Sequence, residues 1–126
     1  SQLVVHLTRA AHELQTAPRN PEGDMLEIIL DYVQSRLSEK ISIQETARVF
    51  HMSASTLTHL FQREMGISFY RCVTQRRLVE SKKLIELGNT MEEISLAVGF
   101  QEYSAFYRAF KAEYGISPMQ YRKMIQ

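Results

Sequence analysis

The sequence predicts an all-α fold of two helix–turn–helix units joined by one long helix, and three observations predict it. After residue 24, no segment alternates apolar and polar residues with the period of two that a half-buried strand needs. Helix start and stop signals recur instead, with Ser, Thr or Asp ahead of apolar stripes and Gly behind them. The tripeptide Gly-Ile-Ser occurs twice, at 66–68 and 115–117, and a Phe stands five residues before each Gly, at Phe61 and Phe110.

Breakers cluster in TAPRNPEGD, residues 16–24, and mark a boundary. Residues 1–23 are read as a partly helical linker: Val4, Leu7, Ala11 and Leu14 keep 3-4-3 spacing, a stripe too short for a stable coiled coil. Because the chain opens at Ser1, this stretch is expected to be the tail of an absent N-terminal domain. Residues 24–126 are then one domain, with a first unit at 24–68, a linker helix at 69–88 and a second unit at 89–126.

A first helix at about 25–38 lines up Leu26, Ile29, Val33 and Leu37, with Met25, Ile28 and Tyr32 beside them. A short helix at 43–50 turns Ile43, Ala47 and Phe50 inward, and the turn His51-Met52-Ser53 leads to a helix at 54–65. There Leu57, Leu60, Phe61 and Met65 keep i, i+3, i+4 spacing. A long helix follows from Phe69 to Leu87. The pattern then recurs: a short helix at 91–98 (Ile94, Ala97, Val98), the turn 99–102, a helix at 104–114 (Phe106, Ala109, Phe110) and a last helix at 118–125.

Capping-box pairs are read at Asp24–Glu27, Ser42–Glu45, Thr90–Glu93 and Ser117–Gln120, with Pro118 at the favoured first helical position. Gly66, Gly88 and Gly115 stand where helices end, since Gly takes the left-handed cap conformation without steric cost. The caps at Ser42 and Thr90 are 48 residues apart, whereas the Phe and Gly pairs are 49 apart. The one-residue difference falls in the turn, where an insertion costs least. The repeated unit is a helix, a short turn and a second helix, the element that offers its second helix to a DNA major groove.

Composition narrows the partners. The apolar fraction of 44% and charged fraction of 23% are those of an ordinary globular protein, and no apolar run approaches the roughly 20 residues that span a bilayer. Cys72 is alone, so no disulfide framework or Cys-based zinc site is expected. The net charge of +1 hides a strong pattern. Residues 53–83 carry six Lys/Arg against two Asp/Glu, residues 84–100 three acids and no base, and residues 101–126 four bases against two acids. Positive charge thus sits in two blocks, one in each half of the repeat, a footprint for a polyanion.

With the apolar stripes turned inward, Ala54, Ser55, Thr58, His59 and Gln62 are left on the outer face of helix 54–65. In the second unit Tyr103, Ser104, Tyr107, Arg108 and Lys111 are left outside. Arg108 can make a bidentate contact to guanine O6 and N7, and Ser55, Thr58 and His59 can hydrogen-bond base edges. Gln62, Arg63, Arg71 and Lys111 are read as phosphate contacts. Arg77, in the middle of the long helix, is expected to tie that helix to its neighbours.

Residues 25–125 resemble the two-helix-turn-helix DNA-binding domain of the AraC/XylS family of bacterial transcription regulators. The likeness is strongest in TMEEISLAVGFQEYSAFYRAFKAEYGISPMQYRK, at Ile94, Ala97, Gly99–Phe100, Phe106, Arg108, Phe110–Lys111, Gly115, Pro118 and Tyr121–Arg122. The resemblance implies a homeodomain-like fold of about seven helices, with two recognition helices in successive major grooves of double-stranded promoter DNA. On this sequence the matching base-contact positions are Ser55, Thr58, His59, Tyr103, Ser104, Tyr107 and Arg108. It further implies an activator that touches RNA polymerase, a homodimer formed through an N-terminal domain, a bacterial cytoplasmic location at the nucleoid, and no cofactor.

Three departures stand out. His51 occupies the first turn where many members have Gly, and so needs a left-handed backbone. The outer face of helix 54–65 has no Arg or Lys until Arg63, and Cys72 replaces the common Tyr. No metal-ligand spacing, His-Glu-x-x-His motif or phosphate loop points to an enzyme. A protein-docking module and a single-strand binder that stacks bases on Tyr103 and Tyr107 are the competing readings, and salt dependence separates the first of them from duplex binding.

Overall fold

Seven helices order residues 21–126, the residues that the computed structural model describes, and no strand occurs among them. They are α1 (Pro21–Gln34), α2 (Ile43–Val49), α3 (Ala54–Met65), α4 (Phe69–Glu86), α5 (Met91–Ala97), α6 (Tyr103–Tyr114) and α7 (Pro118–Ile125). Of the linker assigned to residues 1–23, residues 1–20 lie outside the described residues, and 21–23 belong to α1 instead.

The largest departure from the expected boundaries is α1, which starts at Pro21 and ends four residues early, at Gln34. Proline fixes a helical φ and has no N–H to leave unpaired, so it opens a helix readily. Asp24 therefore sits inside the first turn with Glu22, where both carboxylates favour the positive end of the helix dipole, rather than at the cap. At the other end, Ser35 Oγ donates to Tyr32 O (2.8 Å), and the chain continues in turns through Leu37. Leu37 is still buried, now from a turn, and Ile28 is turned out to solvent at 54% exposure.

The repeated Gly-Ile-Ser is a joint between helices. Gly66 (φ 71°) and Gly115 (φ 80°) end α3 and α6 in the left-handed conformation. Two residues on, Ser68 Oγ accepts from Arg71 N–H and Ser117 Oγ from Gln120 N–H, both at 3.1 Å, and these start α4 and α7. Ile67 and Ile116 sit half-buried between stop and start. Ser42, Ser53 and Thr90 cap α2, α3 and α5 in the same way, each such cap contributing about 1 kcal/mol. The reciprocal bond of a full capping box forms at Thr90–Glu93 and Ser117–Gln120.

The two turns between short helix and second helix are built alike. Met52 N–H donates to Ala47 O (3.0 Å) and His51 N–H to Arg48 O (3.1 Å); Phe100 N–H donates to Ser95 O (2.8 Å) and Gly99 N–H to Leu96 O (3.1 Å). This pairing is the Schellman cap, and its pivot must have positive φ. His51 takes it at φ 57°, as expected, and Gly99 at φ 96°.

Two apolar cores share α4. Leu26, Ile29, Val33, Leu37, Ala47, Leu57, Leu60 and Phe61 close on Phe69, Cys72 and Val73 at its first turns. Met91, Ile94, Phe106 and Phe110 close on Leu78 and Ile85 further along, with Tyr103, Tyr114 and Tyr121 packed at the rim. One inward assignment fails: Ala97 is exposed, and Ser95 is buried in its place. Ser95 stands 48 residues after Ala47, and its hydroxyl hides by donating to Met91 O (2.8 Å).

Polar bonds tie the units together across the shared helix. Arg77 donates from Nε to Leu37 O (3.1 Å) and from Nη2 to Glu39 O (2.8 Å), and burial lowers its pKa. Arg77 thus ties α4 to a neighbour, as expected, but that neighbour is the loop before α2 rather than a helix. Arg76 Nη1 donates to Gln34 Oε1 (3.1 Å) and Lys82 Nζ lies 3.6 Å from the Tyr114 ring centroid, while within the second unit Arg122 Nη2 donates to Asn89 O.

The caps differ in one testable respect. Glu93 has its pKa lowered by the hydrogen bonds it makes at Thr90, whereas Gln120 plays the same part at α7 without titrating. A lowered folded-state pKa means stability that is present above the unfolded carboxylate pKa and is lost as pH falls through the folded one. The stability of the native protein relative to a Glu93→Gln variant is therefore expected to decline as pH drops below the ordinary carboxylate range. Thermal unfolding of both proteins at neutral and acid pH checks this, and a difference that does not change with pH contradicts it.

Candidate nucleic-acid interface

Helix α3 is anchored by Leu57, Leu60 and Phe61, all buried. Ser55, Thr58, His59 and Gln62, three or four residues apart, are exposed along the opposite face. Ser53, which caps the helix, accepts from Thr56 N–H and lies 2.9 Å from Thr56 Oγ1, so Thr56 is bound up in the cap. Thr58 Oγ1 donates to Ala54 O (2.9 Å), which leaves its lone pairs facing solvent as acceptors.

Helix α6 is held the same way by Phe106 and Phe110. Ser104, Arg108 and Lys111 are exposed, while Tyr103 and Tyr107 are half-buried rather than fully outside. Their rings stand edge to face at 6.0 Å, and Tyr103 also packs on Phe106 at 6.2 Å. Desolvation, then Tyr107 and Glu92, raise the Tyr103 pKa, so its phenol stays protonated and can donate as well as accept. Lys111 Nζ lies 5.9 Å from the Tyr107 centroid.

The basic residues divide into engaged and free. Arg63 Nη2 meets Glu22 Oε2 at 2.9 Å, and Arg71 Nη2 meets Glu113 Oε2 at 3.0 Å, with Gln75 Nε2 donating to Glu113 Oε1 (3.4 Å). Arg63 and Arg71, two of the four residues read as phosphate contacts, thus already bridge helices, Arg63 to α1 and Arg71 to α6. Their side chains remain more than half exposed, and each bridge between helices uses one nitrogen of a group with five donor hydrogens, Arg63 Nε lying also 3.9 Å from Glu64 Oε1. Arg108 makes no side-chain hydrogen bond or ion pair among the described residues. The same is true of Arg48, in the last turn of α2, which sequence reasoning did not single out. Its signal was a lone base beside the turn that leads into α3.

Two units of one design, each presenting a polar face on its second helix and joined through a common helix, define a double helix–turn–helix protein. The family described as "Helix-turn-helix domain" matches residues 46–124. The probable transcriptional regulator LumQ of Photobacterium leiognathi is 33% identical over 100 residues, 79% of this chain and 40% of that protein. Among solved structures, the C-terminal domain of AraT, a response regulator from Geobacillus stearothermophilus, aligns with a TM-score of 0.77 and 26% identity over 86% of this chain and 88% of that one. The DNA-binding domain of the global transcriptional factor AdpA, solved in complex with a target DNA, shares the fold at a TM-score of 0.74 and 20% identity, over 84% of this chain and 93% of that one.

The chain belongs to the AraC-type helix-turn-helix family of DNA-binding transcription regulators. The first curated relatives matched are described as transcriptional regulators. The chain spans 34–40% of the length of the first curated relatives it matches. No helix among the described residues is long and apolar enough to cross a membrane.

Proposed function

We propose that this chain binds promoter DNA sequence-specifically by placing α3 and α6 in successive major grooves of one duplex. Ser55, Thr58 and His59 face base edges from α3; Tyr103, Ser104, Tyr107 and Arg108 face them from α6. Gln62 and Lys111 hold phosphates, and Arg63 and Arg71 turn their spare donors to phosphate while keeping their bridges. What supports this most is the exposed, unpaired Arg108 on a helix locked from behind by Phe106 and Phe110. A guanidinium held in this way is ready to meet guanine O6 and N7 without first breaking another bond. The regulator acts in the bacterial cytoplasm as an activator, touches RNA polymerase, and dimerises through chain outside the described domain.

Duplex binding measured against salt tests the proposal. Affinity is expected to fall by orders of magnitude between about 50 and 200 mM salt, as counterions released from phosphates require. Arg108→Ala is expected to relax preference at one box by roughly 1–3 kcal/mol, whereas Lys111→Ala weakens all duplexes alike and lowers the salt slope by about 1. Duplex affinity that ignores salt, or an Arg108→Ala protein that keeps the full sequence preference, contradicts it.

A further inference from the structure

We infer that Arg77, seated against Gly99, fixes the angle and separation of α3 and α6 and thereby sets the spacing between the two DNA boxes the domain accepts. This rests on the two-groove proposal above. Residues 74–77 of α4 lie between the side chains given to the first core and those given to the second. A shared helix alone leaves each unit's orientation to its own packing. Here the polar side chains of the junction reach outward instead: Gln75 to Glu113 of α6, Arg76 to Gln34 of α1, and Arg77 to the carbonyls of Leu37 and Glu39.

Those two carbonyls belong to the loop that runs from α1 into α2, in the first unit. The turn of the second unit closes on the same place. A Cβ on Gly99 would lie 2.0 Å from Leu37 O and 2.7 Å from Arg77 Nε, so only a glycine lets the three pieces meet. The Arg77 guanidinium also lies 6.0 Å from the Phe100 ring centroid. Residues 99–102 lead directly into α6, so their seat on Arg77 sets where α6 begins. Arg77 is a positioning residue: its donors go to the protein's own carbonyls.

Each base pair of spacing moves a box by about 3.4 Å along the helix axis and by about a tenth of a turn around it. A rigid pair of recognition helices accepts one spacing, and a loose pair accepts several. The test has two readouts on the same variants. Pulsed electron resonance between spin labels at Glu64→Cys in α3 and Ala112→Cys in α6, both exposed positions, reports the distance distribution in the free domain; Cys72 is buried and stays unlabelled. Binding is then measured to duplexes carrying the selected boxes at the preferred spacing, at one and two base pairs more or fewer, and to each box alone.

The native protein is expected to give a narrow distribution and to lose roughly tenfold in affinity at one base pair from the optimum, as for a mismatched site. Arg77→Met is expected to broaden the distribution and flatten the spacing preference, with single-box binding unchanged. Arg77→Lys, which keeps the charge and one donor direction, is expected to fall between them and carries the test if Arg77→Met does not fold. An Arg77→Met domain with native distances overturns the clamp, as does one with native spacing preference or with an equal loss on single boxes. A native protein indifferent to spacing overturns the two-groove proposal instead, so the two failures are told apart.

Discussion

Gly99→Ala is expected to cost about 2–5 kcal/mol of folding stability, while Gly88→Ala, with nearly the same backbone, costs only about 1–2 kcal/mol. Both glycines have strongly positive φ, 96° at Gly99 and 89° at Gly88, so alanine pays the same left-handed strain at each. Their surroundings differ. A Cβ at Gly88 meets nothing within 4 Å, but at Gly99 it strikes Leu37 O at 2.0 Å and the Arg77 guanidinium beyond it. A backbone carbonyl cannot rotate away as a side chain can, so the loop before α2 must shift and the Arg77 bonds with it. Urea unfolding of the two variants measures the difference. Equal losses would mean that the contact between the turn and the loop contributes nothing to stability.

Phe110→Ala is expected to destabilise the domain by about 3–5 kcal/mol, the cost of deleting a large buried ring together with the cavity it leaves. Phe110 is fully buried, with the rings of Phe106, Tyr114 and Tyr121 at centroid distances of 5.7, 4.7 and 5.8 Å. None of the three can fill the gap without leaving the others. Small domains have about 5–15 kcal/mol in total, so the loss is a large fraction of the whole. Chemical denaturation gives the number directly, and a loss below about 1 kcal/mol would contradict the placement of this ring at the centre of the second core.

The parts of the fold that were legible in the sequence are those set by local chemistry. Stop and start signals such as Gly66, Ser42 and Thr90 act within one turn of the residue that carries them, and the stripes of Leu57 and Phe61 or Phe106 and Phe110 are periodic. Repetition then confirmed each half by the other. Residue type alone misleads at Ala97 and Ser95: it turns the apolar residue inward, yet helix geometry buries the serine, which satisfies itself on Met91 O. Pro21 stands among breakers yet lies in the first turn of a helix, because proline does both and only the following chain decides.

The candidate site was legible as a face but not as a network. Arg63 and Glu22, or Arg71 and Glu113, are about 40 residues apart, and no local pattern announces such pairs. The expectation for Arg77 followed from its place in the middle of the linker helix; its partners Leu37 O and Glu39 O are backbone atoms, which sequence cannot nominate. The half-burial of Tyr103 likewise follows from how Phe106 sits in the second core rather than from the helical period alone.

Selection of duplexes from a random-sequence pool at moderate salt, using this chain, measures the central claim most directly. Two short conserved boxes about one helical turn apart, with a guanine in the box that loses definition when Arg108→Ala is used, are the expected result. A single box, or no enrichment under conditions where the domain is folded, would contradict the placement of α3 and α6 in adjacent grooves.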